Sequence, residues 1–266
     1  MGTPRTDVTI TVLGSGTGVP SLERSACAVL ARIAGQHLLF DIGPGTLHRM
    51  LEAGVTIFDI DYLFISHFHP DHTGELVSFL FATKYPDIRH RKTPLVLVGG
   101  PGITAFYEQL NDIFRQWIEL PGLLEIIEID PGTKDRFDFD RFSVTAAPMA
   151  HRPESLAYRI TTPAGTRVVY SGDTDYTEHL VRLAGKADLL ICESALPDEI
   201  KIDGHLTPSL AGKIATAAGV KKLLLTHFYP ESDRADIEGQ CRKTYAGPLL
   251  LARDLMKIEF TEPPTP

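Results

Sequence analysis

The stretch Ser66-His67-Phe68-His69-Pro70-Asp71-His72 follows the short apolar run Asp61-Tyr62-Leu63-Phe64-Ile65 and places three histidines and one aspartate within six positions. The chain has only ten histidines in 266 residues, so the pattern H-x-H-x-D-H arises by chance about once in a thousand such sequences. Imidazole nitrogens and carboxylate oxygens are the ligands that suit zinc and similar divalent ions. On an extended backbone His67 and His69 point two rings the same way. Asp71 and His72, one turn further on, can face a second ion. A single ion would leave the cluster overcrowded, so the stretch predicts two.

Two ions need further ligands, and other runs supply them. Ala147-Pro148-Met149-Ala150-His151 follows one expected strand. Tyr170-Ser171-Gly172-Asp173-Thr174 follows another, its glycine allowing a tight turn and its aspartate able to bridge two ions. Leu223-Leu224-Leu225-Thr226-His227 ends a third in a histidine. Each alone is most often a turn residue. Together, at strand ends, they reinforce the histidine loop.

The rest of the chain supplies elements to carry these ends. Strands are expected at Asp7–Leu13, Cys27–Ile33, His37–Asp41, Asp61–Ser66, Leu95–Val98, Leu123–Ile129, Arg141–Ala147, Leu156–Thr161, Arg167–Tyr170, Asp188–Glu193 and Lys222–Thr226. Helices are expected at Gly43–Ala53, with Leu47, Met50 and Leu51 on one face, and at Gly74–Lys84, Gly102–Trp117, Thr177–Ala184 and Pro208–Ala218. Thr207 is placed to cap the last of these, with Pro208 as its first residue. Strand-rich halves flanked by helices suggest sheets packed together with helices outside. No tandem repeat, low-complexity tract or long linker divides the chain, which predicts a single domain over 1–266.

Composition narrows the function. A net charge of -8 argues against a protein whose whole surface is a glove for nucleic acid. No apolar run reaches the roughly 18 to 20 residues of a membrane span, and Met1–Thr11 has no signal-peptide core. Three widely spaced cysteines, Cys27, Cys192 and Cys241, suit a reducing cytoplasm better than a disulfide framework.

Phe40-Asp41-Ile42-Gly43, the histidine loop, His151, Asp173 and His227, in that order, resemble the metallo-β-lactamase superfamily of hydrolases over nearly the whole chain. The resemblance implies an α+β fold, a four-layer αββα sandwich with metals at one edge of two sheets. It implies one ion on His67, His69 and His151, another on Asp71, His72 and His227, and Asp173 with a water between them. Asp41 would orient the histidine loop. The ions would be zinc, with manganese or iron as alternatives.

Within the superfamily the chain is most similar to the ribonuclease Z-like branch. Leu13-Gly14-Ser15-Gly16-Thr17, Leu39 to Thr46, Ser171-Gly172-Asp173-Thr174, and Cys192-Glu193-Ser194-Ala195 before Gly204-His205-Leu206-Thr207 carry the similarity. This implies that His205 stabilises the transition state or protonates the leaving group, that Glu193 orients it, and that Asp71 accepts the nucleophile's proton. The implied reaction is hydrolysis of a small phosphodiester or of a nucleotide or RNA end. A tRNA 3′-endonuclease, a hydrolase of aryl sulfates, esters or lactones, and a non-catalytic metal-binding module are the alternatives.

Three features depart from the transfer-RNA-processing pattern. Pro70 stands where glycine is usual, and Cys192 where histidine is usual. His151 and Asp173 are only 22 positions apart, which leaves no room for a long tRNA-clamping arm. A basic run, Lys84 and Arg89-His90-Arg91-Lys92, reads as a solvated helix end or a flank of the substrate entrance. Leu80–Lys92 and Ile118–Leu123 are the expected specificity loops, and a homodimer the expected assembly.

Overall fold

The computed structural model describes residues 6–85, 90–133 and 135–261. Period-two alternation sorts the apolar side chains into two cores. In β3 (Gln36–Phe40), Leu38 and Phe40 enter one cluster and Leu39 the other. Phe64 and Leu63 of β4 (Tyr62–Phe64) divide the same way, as do Val98 and Leu97 of β5 (Leu95–Gly99). A sheet whose alternate residues fill different cores is covered on both faces.

That sheet has seven strands in the order β14-β1-β2-β3-β4-β5-β6, adding β1 (Thr6–Gly14), β2 (Ala28–Ile33), β6 (Leu124–Glu128) and β14 (Lys257–Thr261). The second sheet also has seven, in the order β13-β12-β11-β10-β9-β8-β7. Its strands are β7 (Arg136–Asp138), β8 (Ser143–Pro148), β9 (Leu156–Thr161), β10 (Arg167–Tyr170), β11 (Leu189–Glu193), β12 (Leu223–Thr226) and β13 (Leu249–Leu251). Each sheet is half antiparallel and half parallel, the parallel runs being β3 to β6 and β10 to β13.

Parallel neighbours need crossovers, and crossovers place helices on the faces. In the first sheet these are α1 (Thr46–Glu52), α2 (Pro70–Thr73), α3 (Leu76–Ala82) and α4 (Ile103–Phe114). In the second they are α5 (Glu178–Leu183), α6 (Pro208–Ala218) and α7 (Ile237–Arg242). The result is the expected αββα sandwich. Register brings the parallel strands to one edge: Phe40 pairs with Phe64 and Phe64 with Val98, while Tyr170 pairs with Ile191 and Ile191 with Leu224. The sheets are stitched there. Leu156 N donates to Ser66 O at 2.9 Å, and Tyr158 Oη to Ile65 O at 2.6 Å.

Several expectations need correction. The helix expected over Gly74–Lys84 begins at Leu76, after the separate turn α2. Between them Glu75 leaves the helical path so that its carboxylate accepts from Gly45 N (2.9 Å) and Leu47 N (2.7 Å), two of the free donors that open α1. Leu51 is 62% exposed and does not share the buried face of Met50. Thr207 occupies the cap position of α6 but its side chain makes no cap bond. β7, α7, β13 and β14 were not anticipated. The basic run is open only in part, at His90 and Lys92. Lys84 Nζ donates to Gln116 O and Glu119 O, Arg91 is buried with Nη2 on Ile57 O, and Arg89 lies outside the described residues.

Candidate metal centre

Each expected donor sits just past a strand at the shared edge. His67, His69, Asp71 and His72 follow β4, the last two on α2. His151 follows β8, Asp173 follows β10 and His227 follows β12. The backbone there is specialised. Asp41 (φ 58°) and His227 (φ 62°) are left-handed although neither is glycine, a conformation that surrounding contacts must hold. Gly43 and Gly172 permit close approach: a Cβ on Gly43 would lie 2.0 Å from Asp71 O, and one on Gly172 2.6 Å from Ser66 Cβ.

The side chains converge as two groups joined by one carboxylate. His67, His69, His151 and Asp173 form one, and Asp71, His72 and His227 the other. Asp173 Oδ2 lies 3.6 Å from His67 Nε2 and 4.0 Å from His151 Nε2. Its Oδ1 lies 3.3 Å from His72 Nε2 and 3.4 Å from His227 Nε2. Asp71 Oδ2 is 3.5 Å from His227 Nε2.

Three of the histidines have one nitrogen tied outward, leaving the other to face the cluster. His67 Nδ1 is 3.0 Å from Ser66 Oγ, His72 Nδ1 is 2.7 Å from Asp41 Oδ2, and His151 Nδ1 donates to Gly204 O at 2.9 Å. This is how proteins orient metal-binding imidazoles. The inward atoms His67 Nε2, His72 Nε2, His227 Nε2 and Asp173 Oδ1 are buried and make no hydrogen bond. A buried polar atom without a partner costs roughly 1–3 kcal/mol. Their convergence on Asp173 from the two groups fits cations that would satisfy them.

Burial pushes His67 down to about 2, so its ring is neutral and able to bind a metal. Burial opposes ionisation of Asp173, but His227 and His72 outweigh it and hold the carboxyl well below its usual range. Burial likewise opposes the charge on Asp71, and the contacts with His227 and His72 prevail.

Beside the donors stands a second pair. Buried Glu193, at the end of β11, accepts from Thr174 N (2.6 Å) and Leu206 N (3.1 Å), and its Oε1 lies 3.1 Å from His205 Nδ1. His205 is nearer to Glu193 than to Asp173, at 3.9 Å. Burial disfavours its charged form, but Glu193 and Asp173 overcome this and raise it to about 9. All seven expected donors, with Asp41, Glu193 and His205, are therefore at the cluster. Ser66, Tyr170, Gly204 and Gly18, whose N donates to Asp71 Oδ2 at 3.1 Å, also serve it and were not identified as contacts. The loops that touch the donors include 15–25 and 195–206, which were not among the expected specificity loops.

A family model described as the Beta-lactamase superfamily domain matches residues 36–228. The ribonuclease Z of Methanothermobacter thermautotrophicus is 29% identical over 301 aligned residues, 94% of this chain and 96% of that protein. That aligned length exceeds the 266 residues here, so the relative carries segments that this chain lacks. The ribonuclease Z of Streptomyces coelicolor is 28% identical over 95% or nearly so of both chains, at 94% and 96%. Among solved structures, the metallo-beta-lactamase fold protein YhfI from Bacillus subtilis superposes with a TM-score of 0.81 at 24% identity, covering 95% of this chain and 99% of that one. The short form of human tRNase Z gives 0.75 at 26% identity, covering 94% and 98%.

Proposed function

The chain belongs to the beta-lactamase superfamily, and on that footing we propose that it is a metal-dependent phosphodiesterase of the ribonuclease Z-like kind, working with two divalent ions, zinc first. The observation that carries this reading is the set of buried, unpartnered atoms His67 Nε2, His72 Nε2, His227 Nε2 and Asp173 Oδ1 beside the Glu193–His205 pair. His67, His69 and His151 would hold one ion, Asp71, His72 and His227 the other, and Asp173 would reach both. Bound there, the ions supply an activated water and neutralise charge developing on a phosphoryl oxygen.

The chain's own groups do the rest. Asp71 would accept the proton released by the attacking water, and its histidine neighbours, which favour the ionised carboxylate, would make it a transient carrier. Glu193 and Asp173 favour the protonated form of His205. Glu193 holds its Nδ1, leaving Nε2 to donate to the departing oxygen. The ribonuclease Z relatives support a phosphodiester, and a tRNA 3′-endonuclease is the second reading they favour. Three buried, unpaired cysteines support the cytoplasm as the compartment. Exposed Phe81, Ile113 and Trp117 support a homodimer. Among the described residues no helix is long and apolar enough to cross a membrane.

The test is to purify the protein without chelator, count metals, and assay bis-p-nitrophenyl phosphate beside an RNA with a 3′ trailer. Two ions per chain and diester turnover are expected. His69→Ala and Asp173→Ala should lose metal. His205→Ala should keep both ions and lose roughly a hundredfold or more in turnover. A metal-replete His205→Ala at the wild-type rate removes its assigned role, and a metal-replete wild type inactive on both substrates leaves a binding module.

A further inference from the structure

Two closed loops frame the cluster. Residues 15–25 are pinched at the base by Gly16 N to Ser25 O (2.9 Å), and residues 195–206 by Ala195 N to Leu206 O (3.2 Å). Both are anchored to the segment that follows His227: Phe228 N donates to Ser15 O at 2.9 Å and Tyr229 N to Ala195 O at 3.0 Å. Consecutive residues are about 3.8 Å apart, so the bases of the two loops, at Ser15 and Ala195, lie near each other. Each reaches the donors. Gly18 N bonds Asp71, and His205 belongs to the second loop. Between their roots the half-buried ring of Tyr229 stands edge-on to His227, 6.1 Å away.

The side chains of these loops are unusual in two respects. Among the described residues eight large apolar side chains are exposed, and four of them are here: Val19 (41%), Leu22 (100%), Ile200 (46%) and Ile202 (41%). A lone exposed leucine means little, but four of eight on the two loops that reach the donors bear on what binds there. The first loop is also braced, with Val19 N on Thr17 Oγ1 and Glu23 N on Ser21 Oγ, so ligand binding need not order it.

Charge is the second respect. The first loop has one basic residue, Arg24, which is committed to Asp233 (2.7 Å), Ser15 Oγ and Ala252 O. The second has one lysine and no arginine, and Lys201 is committed to Asp175 (2.7 Å) and Ile202 O. Glu23 and Asp203 are exposed beside them. A polynucleotide is held through several phosphates by free Lys and Arg, and these loops offer none. Arg152, next to His151, is exposed and has no carboxylate partner among the described residues. With His205 turned to Glu193 and the cluster, one guanidinium matches one phosphate.

We propose that this mouth selects a diester with a single phosphate and, on the oxygen that does not leave, an aryl-sized apolar substituent, lodged between Val19 and Leu22 on one loop and Ile200 and Ile202 on the other. The proposal rests on the phosphodiesterase reading above. It is tested with two substrates that release the same p-nitrophenolate, methyl p-nitrophenyl phosphate and naphthyl p-nitrophenyl phosphate, beside the trailer RNA. In the metal-loaded wild type, kcat/KM for the naphthyl diester should exceed that for the methyl diester by tenfold or more, carried by KM. The double variant Leu22→Ser, Ile202→Ser should bring the ratio toward one with both ions retained. Leu51→Ser, which removes an exposed apolar group from α1, should leave the ratio as it is. Turnover of both diesters at a ratio near one, or a preference for trailer RNA, overturns the proposal alone. Inactivity on both diesters with two ions bound overturns the phosphodiesterase reading and this one with it.

Discussion

Asp41 accepts four hydrogen bonds, from Ser66 N (2.7 Å), Ser66 Oγ (2.7 Å), His72 Nδ1 (2.7 Å) and Tyr170 Oη (2.6 Å), and is fully buried. A carboxylate can accept all four, whereas an asparagine turns its N–H₂ either toward Ser66 N or toward the other three donors, which share Oδ2. Asp41→Asn should therefore cost about 3 kcal/mol in chemical denaturation. It should also weaken metal binding by roughly tenfold to a hundredfold, because His72 loses the group that orients it. Tyr170→Phe removes one donor of the four and should cost less on both measures. Equal effects from the two variants would mean that Asp41 acts by filling space. The aspartate itself was legible in Phe40-Asp41-Ile42-Gly43. Its partners were not: Ser66 ends an ordinary strand, and Tyr170 lies 129 positions away on the other sheet, so only sheet-on-sheet packing makes them partners.

At the level of elements, local pattern and long-range support separate in the same way. The span of α6 was readable from Thr207-Pro208 and the apolar spacing that follows, but the acceptor for its open N–H groups was not. That acceptor is Asp198, nine positions upstream of Thr207 and part of the loop that carries His205. Its Oδ1 accepts from Ser209 N (3.1 Å) and Ser209 Oγ (2.8 Å). Asp198→Ala should cost about 1 kcal/mol, as loss of a helix cap does, and more than Thr207→Ala. Burial opposes ionisation of Asp198, but the bonds from Ser209 hold its carboxyl below the ordinary 3.8. The cap's contribution is then complete above that ordinary value and is lost as pH falls through the lower, folded one. Paired denaturation of wild type and variant at pH 7 and in acid should show the difference shrink. A gap that persists undiminished in acid would assign the effect to packing. The unanticipated β14 has the same explanation. Lys257-Ile258-Glu259-Phe260-Thr261 alternates well, but it becomes an edge strand only because β1, near the other end of the chain, is there to pair with it.

Across the whole molecule, the donors divide between the two halves. His67, His69, Asp71 and His72 come from the first sheet, and His151, Asp173 and His227 from the second. Each ion of the proposed pair would thus tie both sheets at one edge. The apolar core that joins the sheets, with Phe40, Phe64, Tyr158 and Tyr170 among its aromatics, does not depend on that tie. Unlike a zinc finger, whose fold is its metal site, this protein should keep its secondary structure when stripped. What it loses is the free energy of binding to the folded state alone, about 4 kcal/mol when free metal is a thousandfold above Kd. For a chain of this length each kcal/mol shifts the melting temperature by roughly 2–4 °C. Calorimetry with zinc and then with excess chelator should show a fall of about 10 °C, reversed on adding zinc back, with unchanged far-ultraviolet circular dichroism. His69→Ala and Asp173→Ala should melt near the stripped value and gain little from zinc. A melting temperature indifferent to chelator would mean that these buried, unpartnered atoms hold no ion, and the proposed chemistry would lose its foundation.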